Sequence, residues 1–206
     1  MEGINLTYVQ KDALKEIGSI CSGNAATALS QLLGKKIDIV VPKILFLDIE
    51  EVPDAVGGAD QLVVGLILRV LGDLPGAVIF VFSQRDAAAL SAMMAGKQPA
   101  DGNLIGDLER SALKEIGNIL ANAYLGALGS FVGLSLVPTV PELIVDMAGA
   151  MIDFLLIELS GKCRFALLID SEFHEPSASV TGHFFLIPHA DSLEAILKAI
   201  GKNDFT

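Results

Sequence analysis

Residues 11–42, KDALKEIGSICSGNAATALSQLLGKKIDIVVP, recur in altered form 99 residues later as 110–141, RSALKEIGNILANAYLGALGSFVGLSLVPTVP. Twelve of the 32 aligned positions are identical with no gap, including the block Ala-Leu-Lys-Glu-Ile-Gly and the closing Val-Pro. Two copies of one unit call for one local environment, and each half is too short to bury its own helix and strands well. The chain of 206 residues therefore reads as a single α/β (α+β) domain, 1–206, with internal pseudo-two-fold symmetry. Its two helix-plus-strands units, at about residues 8–97 and 107–202, are expected to share an antiparallel sheet.

The remainder of each half fits this reading. After the first copy, Val63–Val70 and Ala77–Phe82 are strand-like, rich in Val, Ile and Phe, and joined by the turn Gly72-Asp73-Leu74-Pro75-Gly76. A helical pattern follows at Gln84–Ala95. After the second copy come strands at Arg164–Asp170 and His183–Ile187 and a helix at Ala190–Ile200. Residues 97–107, KQPADGNLIGD, read as the polar linker between the halves.

The repeat also decides a membrane question. From Ile116 to Pro141 there is no charged residue, a run longer than the roughly 18 apolar residues that suggest a spanning helix. The first copy carries Lys35 and Lys36 where the second has Leu134 and Ser135, so the uncharged run is expected to be a helix buried in a core, without membrane insertion. The opening MEGINLTYVQKDALKEIG has no basic or apolar leader region, and a secretory signal is not expected. Cys21 and Cys163 sit far apart in apolar sequence, which points to buried reduced thiols in a cytoplasmic protein.

A formal charge of −11 argues against nucleic-acid binding, which needs a basic face. His174, His183 and His189 have no cysteine or carboxylate at ligand spacing, so no metal site is expected. No glycine-rich phosphate motif occurs, and Ser22 and Ser30 lack a nearby histidine base.

At about 100° per residue, Ser111, Glu115, Asn118 and Asn122 fall within an arc of about 60° on the second repeated helix, opposite Leu113, Ile116, Leu120, Ala123, Ala127 and Phe131. The first helix sets Asp12, Glu16, Ser19 and Gly23 against Leu14, Ile17, Ile20 and Ala28. Gly18 and Gly117 each follow the glutamate by two positions, at a helical cost of about 1 kcal/mol against alanine. Their recurrence points to close packing or to close approach by a partner. A polar stripe on an amphipathic helix is ordinarily its solvated side. This one sets a carboxamide one turn after a carboxylate among small residues, and a carboxamide can hold a water for in-line attack on a phosphoryl group.

Ser111-x₃-Glu115-x₂-Asn118, with Pro141 following after 22 residues, resembles the signature of the CheC/CheX/FliY family of CheY-phosphate phosphatases. Asp12-x₃-Glu16-x₂-Ser19, with Pro42 at the same distance, resembles it with one change. The length, the duplication and the strand-helix tail of each half look CheC-like. The resemblance implies a cytoplasmic chemotaxis protein that dephosphorylates the aspartyl-phosphate of CheY. Asn118 would then be the catalytic residue that orients the attacking water, and Glu115 would dock on a lysine of CheY. Glu16 keeps the docking role in the other half, while Ser19 stands where the family has asparagine. That second site is expected to be degenerate, with a hydroxyl too short for the task, and Ser19→Asn is expected to raise activity. The chain would need no cofactor of its own, magnesium being held by CheY.

The resemblance also implies a second partner, the receptor deamidase CheD. Glu142–Ala148 looks like the CheD-contacting helix of the family, with Asp146 as the candidate contact residue. Read from the residues alone, Leu143–Ile157 is equally an apolar helix or strand of the core with two tolerated aspartates. The lost asparagine leaves open a non-enzymatic alternative, an adaptor that binds CheD or CheY.

Overall fold

Thr7 and Gln10 fix the start of the first helix by reciprocal capping. The Thr7 side chain accepts from the Gln10 amide at 3.2 Å, and Gln10 Oε1 accepts from the Thr7 amide at 2.9 Å. The helix, α1, runs Tyr8–Leu33 and stops at Gly34, whose φ of 62° lies in the left-handed region. In this computed structural model, which describes residues 7–95, 106–159, 163–175 and 178–200, the elements that follow are β1 (Asp38–Asp48), a single 3-10 turn at Ile49–Glu51, the short α2 (Val52–Ala55), β2 (Leu62–Gly72), β3 (Gly76–Ser83) and α3 (Gln84–Ala95). The second half gives α4 (Asp107–Val132), β4 (Leu136–Pro138), β5 (Glu142–Met147), α5 (Ala148–Glu158), β6 (Phe165–Glu175), β7 (Ala178–Pro188) and α6 (Ala190–Ile200). Of the expected linker only Gly106, which caps α4, and Asp107, its first residue, are among the described residues.

α1 and α4 are both 26 residues long, and α4 ends at Gly133 with φ 71°, 99 positions after Gly34. Among the described residues seven strands form one antiparallel sheet ordered β1-β6-β7-β3-β2-β4, with β5 also pairing β2. Each edge strand is donated across the halves: β1 of the first half pairs β6 of the second, and β4 and β5 of the second pair β2 of the first. Neither half completes its sheet alone. Proline lacks a ladder donor and is confined to edges and irregularities. Accordingly the β1 register shifts between Val40 and Lys43, around Pro42, while Pro141 lies in the break between β4 and β5.

Side chains alternate across β2 and β3, and both sheet faces are covered, so these strands read as unbroken apolar runs. One face packs Val64, Leu66, Leu68, Phe80 and Phe82 against α1, α3, α4 and α6. The other packs Val63, Ile67, Ile79 and Val81 against α5 and the segment around Val52. Tyr124 of α4 sits at the centre of the first layer, 4.6 Å from Phe184 in a stacked arrangement, with its hydroxyl 2.6 Å from Ser171 Oγ of β6. The uncharged run from Ile116 thus enters a core, and among the described residues no helix is long and apolar enough to cross a membrane.

Two expectations are corrected. Glu142–Met147 is a strand, and the helix begins only at Ala148. The β-branched pair Ile144-Val145 follows a proline, and the backbone of β5 pairs with the otherwise open edge of β2. The buried stripe of α1 also follows i, i+4 through Ala13, Ile17, Cys21, Ala25 and Leu29. Ile20 is left 40% exposed and Ala28 lies at the rim.

Gly18 and Gly117 are where the long helices meet the sheet. A Cβ on Gly117 would lie 2.8 Å from Leu66 Cδ1, and one on Gly18 would lie 2.2 Å from Ile44 Cδ1. Gly23 of α1, by contrast, has nothing within 4 Å of its Cβ position. Gly117→Val is expected to lower stability by about 2–3 kcal/mol through overpacking against the fully buried Leu66. Gly23→Ala should raise stability by about 0.5–1 kcal/mol through helix propensity. Denaturant midpoints measure both, and equal signs would contradict the packing described.

Candidate functional site on the paired helices

The polar stripe of α4 reaches the surface as the helical count requires: Ser111, Glu115 and Asn122 are exposed and Asn118 is half-buried. The stripe of α1 is exposed at Asp12, Glu16, Ser19 and Gly23. Neither Glu115 nor Glu16 forms an ion pair among the described residues. Each carboxylate is therefore available to a cation from outside.

The two motifs end in different surroundings. Asn118 and Asn122 form one wall of a groove of about 500 Å³ between the long helices, and Asn24, Thr27 and Gln31 of α1 line the other. Asn122 Nδ2 donates to the Asn118 backbone carbonyl at 2.7 Å and to Asn118 Oδ1 at 3.2 Å. Ser19 opens on a separate cleft of about 730 Å³ between α1 and β1, rimmed by Lys11, Lys15 and Lys43 with Ile39 and Phe46 among its apolar lining. Its hydroxyl donates to the Lys15 carbonyl at 3.1 Å, a back-bond that ties a helical serine to its own turn. The carboxamide thus faces a groove shared by two helices, while the hydroxyl is occupied by its own backbone.

Asn24, Thr27 and Gln31 were not singled out from the sequence. Their spacing of i, i+3, i+7 is a polar stripe on α1, but it lies outside the repeated motif. Only the pairing of α1 with α4 brings it opposite Asn118. Asp146 is exposed near the end of the edge strand β5, with its Oδ1 accepting from the Met147 amide at 2.8 Å. It lies outside both helix stripes, on an element that pairs β2. The histidines stay apart: His183 pairs with Asp170, His174 contacts Glu172 at 3.2 Å and Ser179 Oγ at 3.2 Å, and the His189 amide binds the Pro75 carbonyl. No group of three or more His, Cys, Asp or Glu among the described residues is arranged to hold a metal ion.

Both thiols lie inside. Cys21 is 1% exposed and burial pushes its thiol up to about 12, while burial raises Cys163 to about 11. Burial disfavours the charged thiolate, so each thiol stays protonated until the pH rises toward these values. Neither is expected to react with a thiol-specific disulfide reagent in the native protein at pH 8, and both should react once the chain is unfolded in guanidinium. Rapid native labelling would contradict the buried positions.

Comparison with known proteins bears on this arrangement. The model of the CheC-like family matches residues 9–45, which span nearly all of α1 and most of β1. The CheY-P phosphatase CheC of Bacillus subtilis (strain 168) is 38% identical over 196 residues, covering 93% of this chain and 94% of that protein. Among solved structures, Thermotoga maritima FliY superposes with a TM-score of 0.76 at 21% identity, over 97% of this chain and 99% of its own. A chain of the Borrelia burgdorferi complex of CheX with CheY, BeF3 and magnesium superposes with a TM-score of 0.52 at 18% identity, over 82% of this chain and 96% of its own.

Proposed function

The chain belongs to the CheC-like family, and on that premise we propose that it hydrolyses the aspartyl-phosphate of phosphorylated CheY, with Asn118 holding the attacking water and Glu115 docking on a CheY lysine. The observation that carries this reading is the Asn118 carboxamide, half-buried at the wall of the helix groove, three residues after an exposed carboxylate that no cation of the described chain engages. Residues at i and i+3 project together from a helix. A docked lysine and a positioned water therefore share one approach direction. The Bacillus relative is named for this activity, and the Borrelia CheX was solved in complex with CheY and magnesium.

The chemistry asked of the chain is positioning. Asn118 Oδ1 accepts a hydrogen bond from the water and aligns the water oxygen with phosphorus, opposite the aspartate oxygen that leaves. The new oxygen–phosphorus bond forms as the old one breaks, the aspartate departs as carboxylate, and the water proton ends on phosphate or solvent. Asn118 orients the water and takes no proton from it. Glu115 pairs with the lysine ammonium through a charge-assisted hydrogen bond and fixes the angle of approach. Magnesium belongs to CheY in this scheme. Ser19, back-bonded to Lys15, leaves the first half with docking at most.

Cytoplasmic location and a CheD interaction through Asp146 complete the proposal. Asp146 sits on an exposed edge strand, and strand edges are ready sites for another chain. An adaptor that binds CheD or CheY without turnover is the alternative.

Phosphate release from phosphorylated CheY with magnesium tests the reading. The chain should accelerate it, and Asn118→Ala should remove at least about 10-fold of that acceleration by loss of the oriented water. Glu115→Ala should act mainly on KM, and Ser19→Ala should change little. Binding of CheY without acceleration would favour the adaptor. In a separate pull-down, Asp146→Lys should weaken CheD capture at unchanged turnover, and full capture would remove Asp146 from that interface.

A further inference from the structure

Asn122 stands one turn after Asn118 and is exposed. Asparagine is among the poorer residues for a helix interior, so nothing local favours it there. Its Nδ2 forks between the Asn118 carbonyl at 2.7 Å and Asn118 Oδ1 at 3.2 Å. One donor thus binds the backbone and the side chain of the same residue, which restricts rotation of the Asn118 carboxamide about its side-chain bonds. Asn118 Oδ1 keeps its second lone pair, and its own NH₂ has no partner among the described residues. The part of the amide that a water would use stays open while the remainder is held.

The first helix lacks both parts. The position 99 residues before Asn118 is Ser19, and the position 99 before Asn122 is Gly23. Ser19 donates to Lys15, and Gly23 offers no side chain to hold anything. We propose that Asn122 is a positioning residue, which holds the Asn118 carboxamide in the orientation that receives the attacking water. The first half accordingly carries two lesions, Ser19 and Gly23. This inference rests on the phosphatase reading and deepens it.

The ordering that Asn122 supplies is paid before the reaction, so its loss reduces turnover more than partner binding. A hydrogen bond of this kind contributes a factor of about 3–10. Asn122→Ala should therefore lower kcat for phosphorylated CheY about 3- to 10-fold with KM unchanged. Its thermal midpoint should be equal or higher, because alanine is the better helix former. The double variant Asn118→Ala/Asn122→Ala should be no slower than Asn118→Ala alone, since a positioning residue has nothing left to position. Asn122→Asp, of the same shape without the donor, should be at least as slow as Asn122→Ala.

The transplant gives the converse test. In an Asn118→Ala background, Ser19→Asn together with Gly23→Asn should restore more turnover than Ser19→Asn alone, and the open space at Gly23 admits the side chain. If the unmodified chain does not accelerate phosphate release, the phosphatase reading falls; if it does and Asn118→Ala keeps full turnover, the assignment of the water to Asn118 falls, and the positioning role with it. If Asn118→Ala is inactive while Asn122→Ala keeps full kcat, raises KM only, or adds its loss to that of Asn118→Ala, the positioning role falls and the phosphatase reading stands.

Discussion

The exchange of edge strands between the two halves holds the sheet together and with it the seating of both long helices. An isolated half would offer β2 with an open edge and β1 with no partner, and unpaired strand edges expose backbone donors and acceptors. Pairing β1 with β6, and β4 and β5 with β2, satisfies those edges with chain from the opposite half. The sheet that results is broad enough to seat α1 and α4 side by side. At their junction Cys21 Sγ lies 3.6 Å from the Tyr124 carbonyl, and the Tyr124 ring is locked between Phe80 and Phe184. Burial of this tyrosine holds its hydroxyl well above the usual range, with Ser171 as its hydrogen-bond partner.

Once the helices are seated, the sheet fixes which face of each is wet. Ile116, Leu120 and Tyr124 are drawn inward, so Glu115, Asn118 and Asn122 must turn outward on the same helix. The scaffold treats α1 in the same way, yet the outcome differs because the side chains differ. Asn118 is long enough to be held by Asn122 and still face the groove, whereas Ser19 turns back onto Lys15. A nearly symmetric frame thus carries an asymmetric pair of surfaces. The groove wall opposite Asn118 is itself borrowed from α1, through Asn24, Thr27 and Gln31.

Much of the secondary structure could be read in advance because its signals are local. The spacing of apolar residues gave α3 and α6 to the residue, and the Gly72–Gly76 turn marked the junction of β2 and β3. The repeated helices were recognisable from the block Ala-Leu-Lys-Glu-Ile-Gly, which opens both copies. The residues of Glu142–Met147 left helix and strand equally open, because a short apolar run carries no periodicity that separates the two states, and the helix implied by the family resemblance is a strand here. Its state depends on β2, some 80 residues earlier in the chain, which supplies the ladder. Ile20 was expected inside, but the angle at which α1 lies on the sheet follows Cys21 and Ala25 instead.

That two like helices each display a glutamate, and that one of them adds an asparagine, follows from residue identity and helical spacing, which are properties of a single stretch of chain. So does the absence of the carboxamide from the first copy. The crossing of β1 and β5 between halves, the facing of Asn118 toward the second half of α1, and the separate cleft beside Ser19 arise in the folded chain alone. Those relations join residues far apart in sequence through packing and backbone pairing, and no local pattern encodes them.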